Sequence, residues 1–166
     1  GSPQSICAAD FDGDGDIDLA TANDATNDVS ILKNGGVGVF AAAVNYGVGE
    51  LPISIHPADL DGDGDVDLAV ANDYSGDVSI LKNSGVGVFA AAVNYGVGDY
   101  PMSVCTADFD GDGDRDLAVA IGGSDDVAIL HSNGDGTLEP AVNYSVGMDP
   151  WSVCAADFDG DGDIDL

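Results

Sequence analysis

The 166-residue chain has 31 acidic side chains against three basic ones, which gives a net charge of −28 at pH 7. This charge repels nucleic-acid phosphates and anionic membrane surfaces, so neither a nucleic-acid partner nor membrane insertion is expected. Hydrophobic residues make up 45% of the chain, which excludes compositional disorder, and no apolar run approaches the roughly 18 residues of a membrane-spanning helix.

The acidic residues are almost all aspartates, with 29 Asp and only two Glu. Asp competes with the helical backbone for hydrogen bonds, whereas Glu favours a helix, so this bias argues against helical structure. The 24 glycines add to the same argument, because glycine weakens helices and favours turns. Short carboxylate side chains at turn positions are typical of metal ligands.

An internal repeat of 49 residues organises the whole chain. Asp10, Asp59, Asp108 and Asp157 each begin the string Asp-x-Asp-Gly-Asp-Gly-Asp-x-Asp-Leu, and each lies 49 residues after the one before. Residues 10–58 and 59–107 are identical at 36 of 49 positions, which indicates duplicated units with one shared structure.

Four β-favouring segments occur in each repeat, separated by clusters of Gly, Asn, Asp and Ser. In the second repeat they cover residues 53–58, 68–71, 78–81 and 88–95. The segment 68–71 is apolar without alternation, which is typical of a strand covered on both faces. Four strands in a repeat of 40 to 50 residues predict an all-β fold made of β-propeller blades, each a four-stranded antiparallel sheet.

The phase of the repeat is set by four prolines, each of which precedes the strand that leads into the acidic string. The predicted single repeat domain, 1–166, therefore contains blades at 3–51, 52–100 and 101–149, while 150–166 supplies the first strand and acidic loop of a fourth blade. Propellers close with about four to eight blades, so three and a fraction cannot close a ring. We expect either part of a longer propeller or a subunit that assembles with others.

The acidic string matches the oxygen-ligand spacing of calcium loops. Counting from Asp10, positions 1, 3 and 5 supply side-chain carboxylates, position 7 a backbone carbonyl, and position 9 an oxygen directly or through water. Glycine at position 6, Gly15 in the first loop, allows the sharp turn. The four predicted ligand sets are Asp10, Asp12, Asp14, Asp16 and Asp18; Asp59, Asp61, Asp63, Asp65 and Asp67; Asp108, Asp110, Asp112, Asp114 and Asp116; and Asp157, Asp159, Asp161, Asp163 and Asp165.

Other interpretations of these loops are weaker. Empty solvated loops would leave carboxylates repelling each other by about 1 to 4 kcal/mol per pair at 4 Å. Magnesium keeps much of its water, and zinc prefers the His and Cys ligands that the loops lack. An EF-hand needs Glu at position 12, where Thr21, Val70 and Val119 stand, and a calcium-binding β-helix would repeat its nonapeptide without a gap.

The string Ala-Asp-Phe-Asp-Gly-Asp-Gly-Asp-Ile-Asp-Leu at 9–19, followed by Val-Ser-Ile-Leu at 29–32 and Gly-Val-Gly-Val-Phe at 36–40, resembles the FG-GAP and VCBS repeats of integrin-type β-propellers. The resemblance covers nearly the whole chain. It implies one calcium ion per repeat, up to four, in a hairpin loop of each blade, held by the aspartates above. The literal Phe-Gly and Gly-Ala-Pro strings are absent, and Tyr46-Gly47 stands nearest to the first, so the chain is closer to the bacterial VCBS type.

Two further sets of residues recur at the repeat period. Cys7, His56, Cys105 and Cys154 occupy one position of the first strand, and they could in principle form a zinc site, although core packing is the favoured interpretation. Large apolar side chains (Phe40, Phe89, Leu138) and tyrosines (Tyr46, Tyr95, Tyr144) also recur. Packing between blades is favoured for them over a sugar-binding groove.

The sequence has no local signature of a catalytic triad or dyad, so no enzymatic activity is expected. The expected function is that of a calcium-binding structural and recognition module in an extracellular or cell-surface protein, of the cell-adhesion type, with a protein or glycan ligand. The alternatives are a carbohydrate-binding propeller and a subunit of a head-to-tail assembly. For self-association through the open blade faces, we favour a homodimer that forms a ring of about six blades.

Overall fold

The computed structural model describes residues 2–166 and contains twelve β-strands in this part of the chain. The strands are β1 (Pro3–Ala9), β2 (Asp18–Asn23), β3 (Asp28–Leu32), β4 (Val44–Gly47), β5 (Pro52–Ala58), β6 (Asp67–Asn72), β7 (Asp77–Leu81), β8 (Val93–Gly96), β9 (Pro101–Ala107), β10 (Asp116–Ile121), β11 (Asp126–Leu130) and β12 (Val142–Ser145). They form the all-β fold that the sequence predicts. No helix in residues 2–166 is long and apolar enough to cross a membrane.

The strands form three antiparallel sheets in which each strand pairs with the next along the chain. We call them blade 1 (β1–β4), blade 2 (β5–β8) and blade 3 (β9–β12). The first strands of neighbouring blades lie side by side, β1 beside β5 and β5 beside β9. The Ile55 N–H donates to Ser5 Oγ at 3.4 Å, and the Val104 N–H donates to Ser54 Oγ at 3.3 Å. The arrangement is an open propeller whose blades meet along their first strands.

The second strands of blades 2 and 3 lie inside the stack. Every residue of β6 and β10 is buried, which confirms the prediction from the unbroken apolar segment 68–71. In blade 1, by contrast, Leu19 and Thr21 of β2 are only half-buried. The difference arises because blade 1 has a neighbour on one face only.

One large apolar side chain from each later blade, Phe89 or Leu138, fills a space on the blade before it. Phe89 of blade 2 lies between Phe11 and Tyr46 of blade 1, with ring centroids 5.7 Å and 5.4 Å apart and edge-to-face geometry. Leu138 of blade 3 packs in the same way into the cluster that contains Leu60 and Tyr95. These contacts confirm packing between blades for Phe89, Leu138, Tyr46 and Tyr95, whereas Phe40 and Tyr144 at the same repeat positions are exposed.

Two predicted strands differ from the structure. The segment 88–95 was predicted as one strand, but only Val93–Gly96 forms β8, because Phe89 instead pairs with Asn83 in an isolated bridge that closes the β7–β8 loop. Residues 150–166 are predicted to supply the first strand and acidic loop of a fourth blade, yet the ladder pairing that the structure describes there is limited to the bridge between Ala156 and Asp165.

Candidate metal sites in the acidic loops

Each acidic loop connects the first strand of a repeat to the second, and the carboxylate at position 1 folds it. In the second loop, Asp59 Oδ1 accepts the Gly62 N–H at 2.8 Å and Asp59 Oδ2 accepts the Gly64 N–H at 3.0 Å. Gly64 has φ of +92°, a left-handed conformation that a side chain would strain, as predicted for position 6. The same pair of bonds is made by Asp10, Asp108 and Asp157.

The carboxylate at position 9 is buried and ties the loop to the third strand. Asp67 is fully buried, and it accepts the Leu60 N–H at 3.0 Å and the Asn83 N–H at 2.7 Å. Burial raises the pKa of Asp67 to about 6, although these two hydrogen bonds act in the opposite direction. Asp18 and Asp116 have equivalent bonds, and Asp165 has the first of the two. A desolvated carboxylate of this kind is stabilised by a nearby cation.

The loops bring three carboxylate oxygens within 4.8 Å of one another. In the first, second and fourth loops the three oxygens come from positions 1, 3 and 9. In the third loop, one group of oxygens comes from positions 1, 3 and 5. The groups are Asp10, Asp12 and Asp18; Asp59, Asp61 and Asp67; Asp157, Asp159 and Asp165; and Asp108, Asp110 and Asp112. The acidic clusters could therefore hold a metal ion.

The aspartates at position 3 of the first two loops each have a carboxylate oxygen that suits a bound cation. In residues 2–166, no hydrogen-bond donor reaches the enclosed Oδ1 atoms of Asp12 and Asp61. A buried carboxylate oxygen without a partner costs about 1 to 3 kcal/mol or more. The oxygen-only donor set and these two unpartnered atoms fit a hard divalent cation such as calcium.

The side chains at positions 5 and 7 lie differently. Asp63 Oδ1 accepts the Asp65 N–H at 2.9 Å, so position 5 closes a tight turn. The Asp65 carboxylate lies against the β7–β8 loop, where a Cβ added at Gly85 would overlap it. In the other loops, most of the aspartates at positions 5 and 7 also lie outside the groups of oxygens within 4.8 Å of one another, namely Asp14, Asp16, Asp114, Asp161 and Asp163. Asp112, at position 5 of the third loop, belongs to one of these groups. Position 7 therefore faces away from the group made by positions 1, 3 and 9.

Sequence reasoning did not predict the lysines beside the loops. Lys33 Nζ lies 3.5 Å from Asp12 Oδ2, and it also donates to the Val86 carbonyl of blade 2. Lys82 Nζ lies 3.6 Å from Asp61 Oδ2 and donates to the Asp135 carbonyl of blade 3. Each lysine therefore links an acidic loop to the next blade. The signal was available, since two of the three basic residues occupy the same repeat position.

The third loop has a different neighbour, because His131 occupies the lysine position. His131 Nδ1 lies 3.4 Å from Asp110 Oδ2 and 3.3 Å from Asp116 Oδ2.

Desolvation, followed by repulsion from Asp112 and the other loop carboxylates, raises the pKa of Asp114 in this loop. The mutual repulsion on which the sequence argument relied is therefore present in the structure.

The cysteine and histidine set on the first strands does not form a metal group. None of Cys7, His56, Cys105 or Cys154 belongs to a cluster of three close ligand atoms in residues 2–166. Burial raises the pKa of the Cys7 thiol to about 12 and that of Cys105 to about 11, while burial and then the charge of Arg115 lower the pKa of His56. These shifts disfavour thiolate ligands and agree with packed side chains.

The sequence matches the model of the FG-GAP-like repeat three times, at residues 10–70, 59–119 and 109–166. Together the matches cover the chain from the first acidic loop to its end. No curated protein matches the sequence significantly.

Solved structures with low sequence identity have a similar fold. The chain superposes on an Agrocybe aegerita lectin that recognises non-reducing terminal N-acetylglucosamine, with a TM-score of 0.58, 19% identity, and coverage of 89% of this chain and 38% of the lectin. It superposes on BBS1N, solved in complex with ARL6DN, with a TM-score of 0.66, 15% identity, and coverage of 94% and 47%. For the Photorhabdus luminescens Tc holotoxin pore the TM-score is 0.51, at 20% identity and coverage of 86% and 7%. The chain spans less than half of each of these proteins.

Proposed function

Since the chain belongs to the FG-GAP-like repeat family, we propose that it is a calcium-binding recognition module of an extracellular protein and that it has no catalytic role. The observation that supports calcium most directly is the pair of enclosed, unpartnered oxygens at position 3, Asp12 Oδ1 and Asp61 Oδ1. In each of these loops, one oxygen of the position-3 carboxylate lies within 4.8 Å of oxygens from two further carboxylates. A cation between them satisfies the unpartnered oxygen and offsets the repulsion of the other charges.

The nature of the donors favours calcium over other divalent ions. The loops offer carboxylate and carbonyl oxygens with several negative charges, and calcium accepts six to eight such ligands in flexible geometry. Positions 1, 3 and 9 would hold the ion, with position 5 and the carbonyl of position 7 completing the set. Loops of extracellular modules bind calcium at about 10⁻⁴ to 10⁻³ M, an affinity that suits the millimolar calcium outside cells. An extracellular or cell-surface location, which membership of the FG-GAP-like repeat family supports, would supply calcium at this level.

Paired substitutions in the second loop test the proposed ligand set. Asp61→Ala removes the side chain with the unpartnered oxygen, whereas Asp65→Ala removes an equal charge from a side chain that faces the β7–β8 loop. We expect Asp61→Ala to weaken one calcium site by about tenfold or more, and Asp65→Ala to change it by only a few-fold. Calorimetric titration with calcium measures both. Equal losses for the two variants would contradict the assignment of positions 3 and 7.

Glycan recognition is a second candidate function, favoured by two equivalent grooves between blades. One groove is lined by Tyr46, the 90–92 segment and Asn94, and the other by Tyr95, the 139–141 segment and Asn94. Tyrosine rings beside amide groups are chemically suited to the faces and hydroxyls of sugars. The similarity in fold to a lectin agrees with this candidate.

A glycan array with calcium present tests this candidate. We expect binding of at least one terminal sugar class and weaker binding in Ala91→Arg, which fills the exposed groove between blades 1 and 2 and leaves the second groove open. Tyr74→Arg, an exposed substitution on the β6–β7 turn, is the matched control for the added charge. An array without any bound glycan, or binding that both variants retain at full strength, would contradict the groove as a sugar site.

A further inference from the structure

The third acidic loop differs from the others in the residue that lies against it. In the first two loops, Lys33 and Lys82 each form an ion pair with the carboxylate at position 3. His131 stands at the same repeat position in blade 3. Its Nδ1 atom lies 3.4 Å from Asp110 Oδ2 at position 3 and 3.3 Å from Asp116 Oδ2 at position 9. His131 therefore brings one nitrogen atom to two carboxylates at once.

The grouping of ligand atoms changes with this residue. In the first, second and fourth loops, oxygens from positions 1, 3 and 9 lie within 4.8 Å of one another. In the third loop, positions 3 and 9 instead form such a group with His131, and positions 1, 3 and 5 form a second group. The two groups share Asp110. The third loop thus has an oxygen-only group and, beside it, a group with one nitrogen and two oxygen donors.

The two carboxylates of the nitrogen-containing group are held in place by backbone hydrogen bonds. Asp116 is fully buried, and its two oxygens accept the Phe109 and Ser132 N–H groups at 2.9 Å and 2.8 Å. Ser132 follows His131 in the chain, so the second bond also fixes the backbone beside the histidine. Asp110 accepts a loop N–H with Oδ1 at 3.2 Å and presents Oδ2 to His131. Ligands that are positioned in advance lose little conformational entropy when an ion binds.

The state of the imidazole nitrogen fits a metal ligand. His131 Nδ1 is enclosed, and in residues 2–166 it has no hydrogen-bond partner. An enclosed polar atom without a partner costs free energy that a bond to a metal ion recovers. The distances of 3.4 Å and 3.3 Å to the two oxygens also agree with tetrahedral coordination, in which metal–ligand bonds of about 2.0 Å place two ligand atoms about 3.3 Å apart.

We propose that Asp110, Asp116 and His131 form a binding site for a transition-metal ion of the zinc class. Calcium takes oxygen ligands, whereas zinc binds imidazole nitrogen and carboxylate oxygen at about 2.0 to 2.2 Å. The acidic loops contain no His or Cys, but the fold brings His131, which follows β11, to the third loop. Three protein ligands leave the fourth tetrahedral position to water. This site does not depend on calcium binding by the oxygen-only groups.

Calorimetric titration of the full chain with zinc chloride, in millimolar calcium, tests the proposal. We expect one zinc ion to bind and His131→Lys to weaken its binding by about tenfold or more, because even residues that only support a metal ligand contribute about 10-fold to 100-fold to affinity. His131→Lys introduces the residue that blades 1 and 2 have at this position, so the fold should be preserved. His56→Gln removes the other histidine of the chain and should leave zinc affinity unchanged.

Lys82→His tests the same geometry by gain of binding. It places an imidazole beside Asp61 and Asp67, the equivalents of Asp110 and Asp116, and we expect it to add a second zinc ion. Cobalt(II), whose visible spectrum reports its coordination geometry, should give a tetrahedral spectrum with the unsubstituted chain and lose it in His131→Lys.

Three results would overturn the proposal. They are an absence of zinc binding, equal zinc affinity of the unsubstituted chain and His131→Lys, and an unchanged number of bound zinc ions in folded Lys82→His. In each case His131 is the partner of an ion pair only. Calcium titration without zinc measures the oxygen-only groups separately, so failure of the zinc site is distinguished from failure of calcium binding. Thermal melting of each variant verifies that it is folded.

Discussion

The melting temperature of the chain should be about 3 to 15 °C lower in excess chelator than in millimolar calcium. Binding to the folded state alone stabilises it by RT ln(1 + [L]/Kd), which is about 0.4 to 1.4 kcal/mol per site, since millimolar calcium is about one to ten times a Kd of about 10⁻³ to 10⁻⁴ M. For a domain of this size, each kcal/mol changes the melting temperature by about 2 to 4 °C. The loops between β1 and β2, β5 and β6, and β9 and β10 contribute together, so the sum exceeds the effect of any single loop.

The physical origin of this expected shift is the arrangement of charge in each loop. Asp59, Asp61 and Asp67 place oxygens within 4.8 Å of one another, and Asp67 is fully buried. Without a cation, their repulsion opposes folding, because the unfolded chain separates the charges. Calcium replaces this repulsion by attraction in the folded state only.

Circular dichroism melts at matched ionic strength measure the effect. Sodium chloride at the same ionic strength controls for general screening of the −28 charge, and magnesium controls for a second divalent ion with poorer fit. A melting temperature that is the same in chelator and in calcium would refute the structural role of the ion.

Phe89→Ala should lower the free energy of unfolding by about 3 to 5 kcal/mol, as expected for a buried aromatic side chain. The ring is 5% exposed and packs edge-to-face with Phe11 and Tyr46 across the interface between blades 1 and 2. Its removal leaves a cavity between two sheets that have no covalent link at that point. Urea unfolding in calcium measures the change.

Phe40→Ala is the matched control, since Phe40 occupies the same repeat position in blade 1 but is 39% exposed. At low protein concentration we expect a loss of about 1 kcal/mol or less. If both substitutions destabilise the chain equally, the importance of Phe89 comes from its own hairpin, where it pairs with Asn83, and the interface between blades is not its cause.

The sequence alone determined the features that depend on residues near one another along the chain. The period of 49 residues predicted repeated sheets, and the unbroken apolar segment 68–71 predicted that β6 is covered on both faces. Gly64 at position 6 of the acidic loop predicted the left-handed backbone that the structure has. Such features can be read locally because turn geometry and strand burial depend on residue type and spacing.

The tertiary structure decided which side chains of the loops lie together. Spacing assigned oxygen ligands to positions 1, 3, 5, 7 and 9 without saying which side chains lie together. In the second loop the close group comes from Asp59, Asp61 and Asp67 at positions 1, 3 and 9, while Asp63 at position 5 closes a turn. Asp67 joins the group because it is fixed by the Asn83 N–H, 16 residues away in the chain. The approach of the third strand, which no local pattern encodes, therefore sets the position of this carboxylate.

The repeat pattern predicted packing between blades for the recurring aromatic positions, but it did not predict which partner each side chain contacts there. Lys33 and Phe89 have the same kind of neighbours in sequence as their counterparts in other repeats, but their partners are contributed by a different blade. Phe40 and Phe89 are both phenylalanine at the same repeat position. Phe89 is buried because blade 1 packs against it, whereas Phe40 has no such neighbour and is exposed. The repeat specifies each blade, whereas stacking decides which of its equivalent surfaces are covered, because burial depends on neighbours that lie about 50 residues away in the chain.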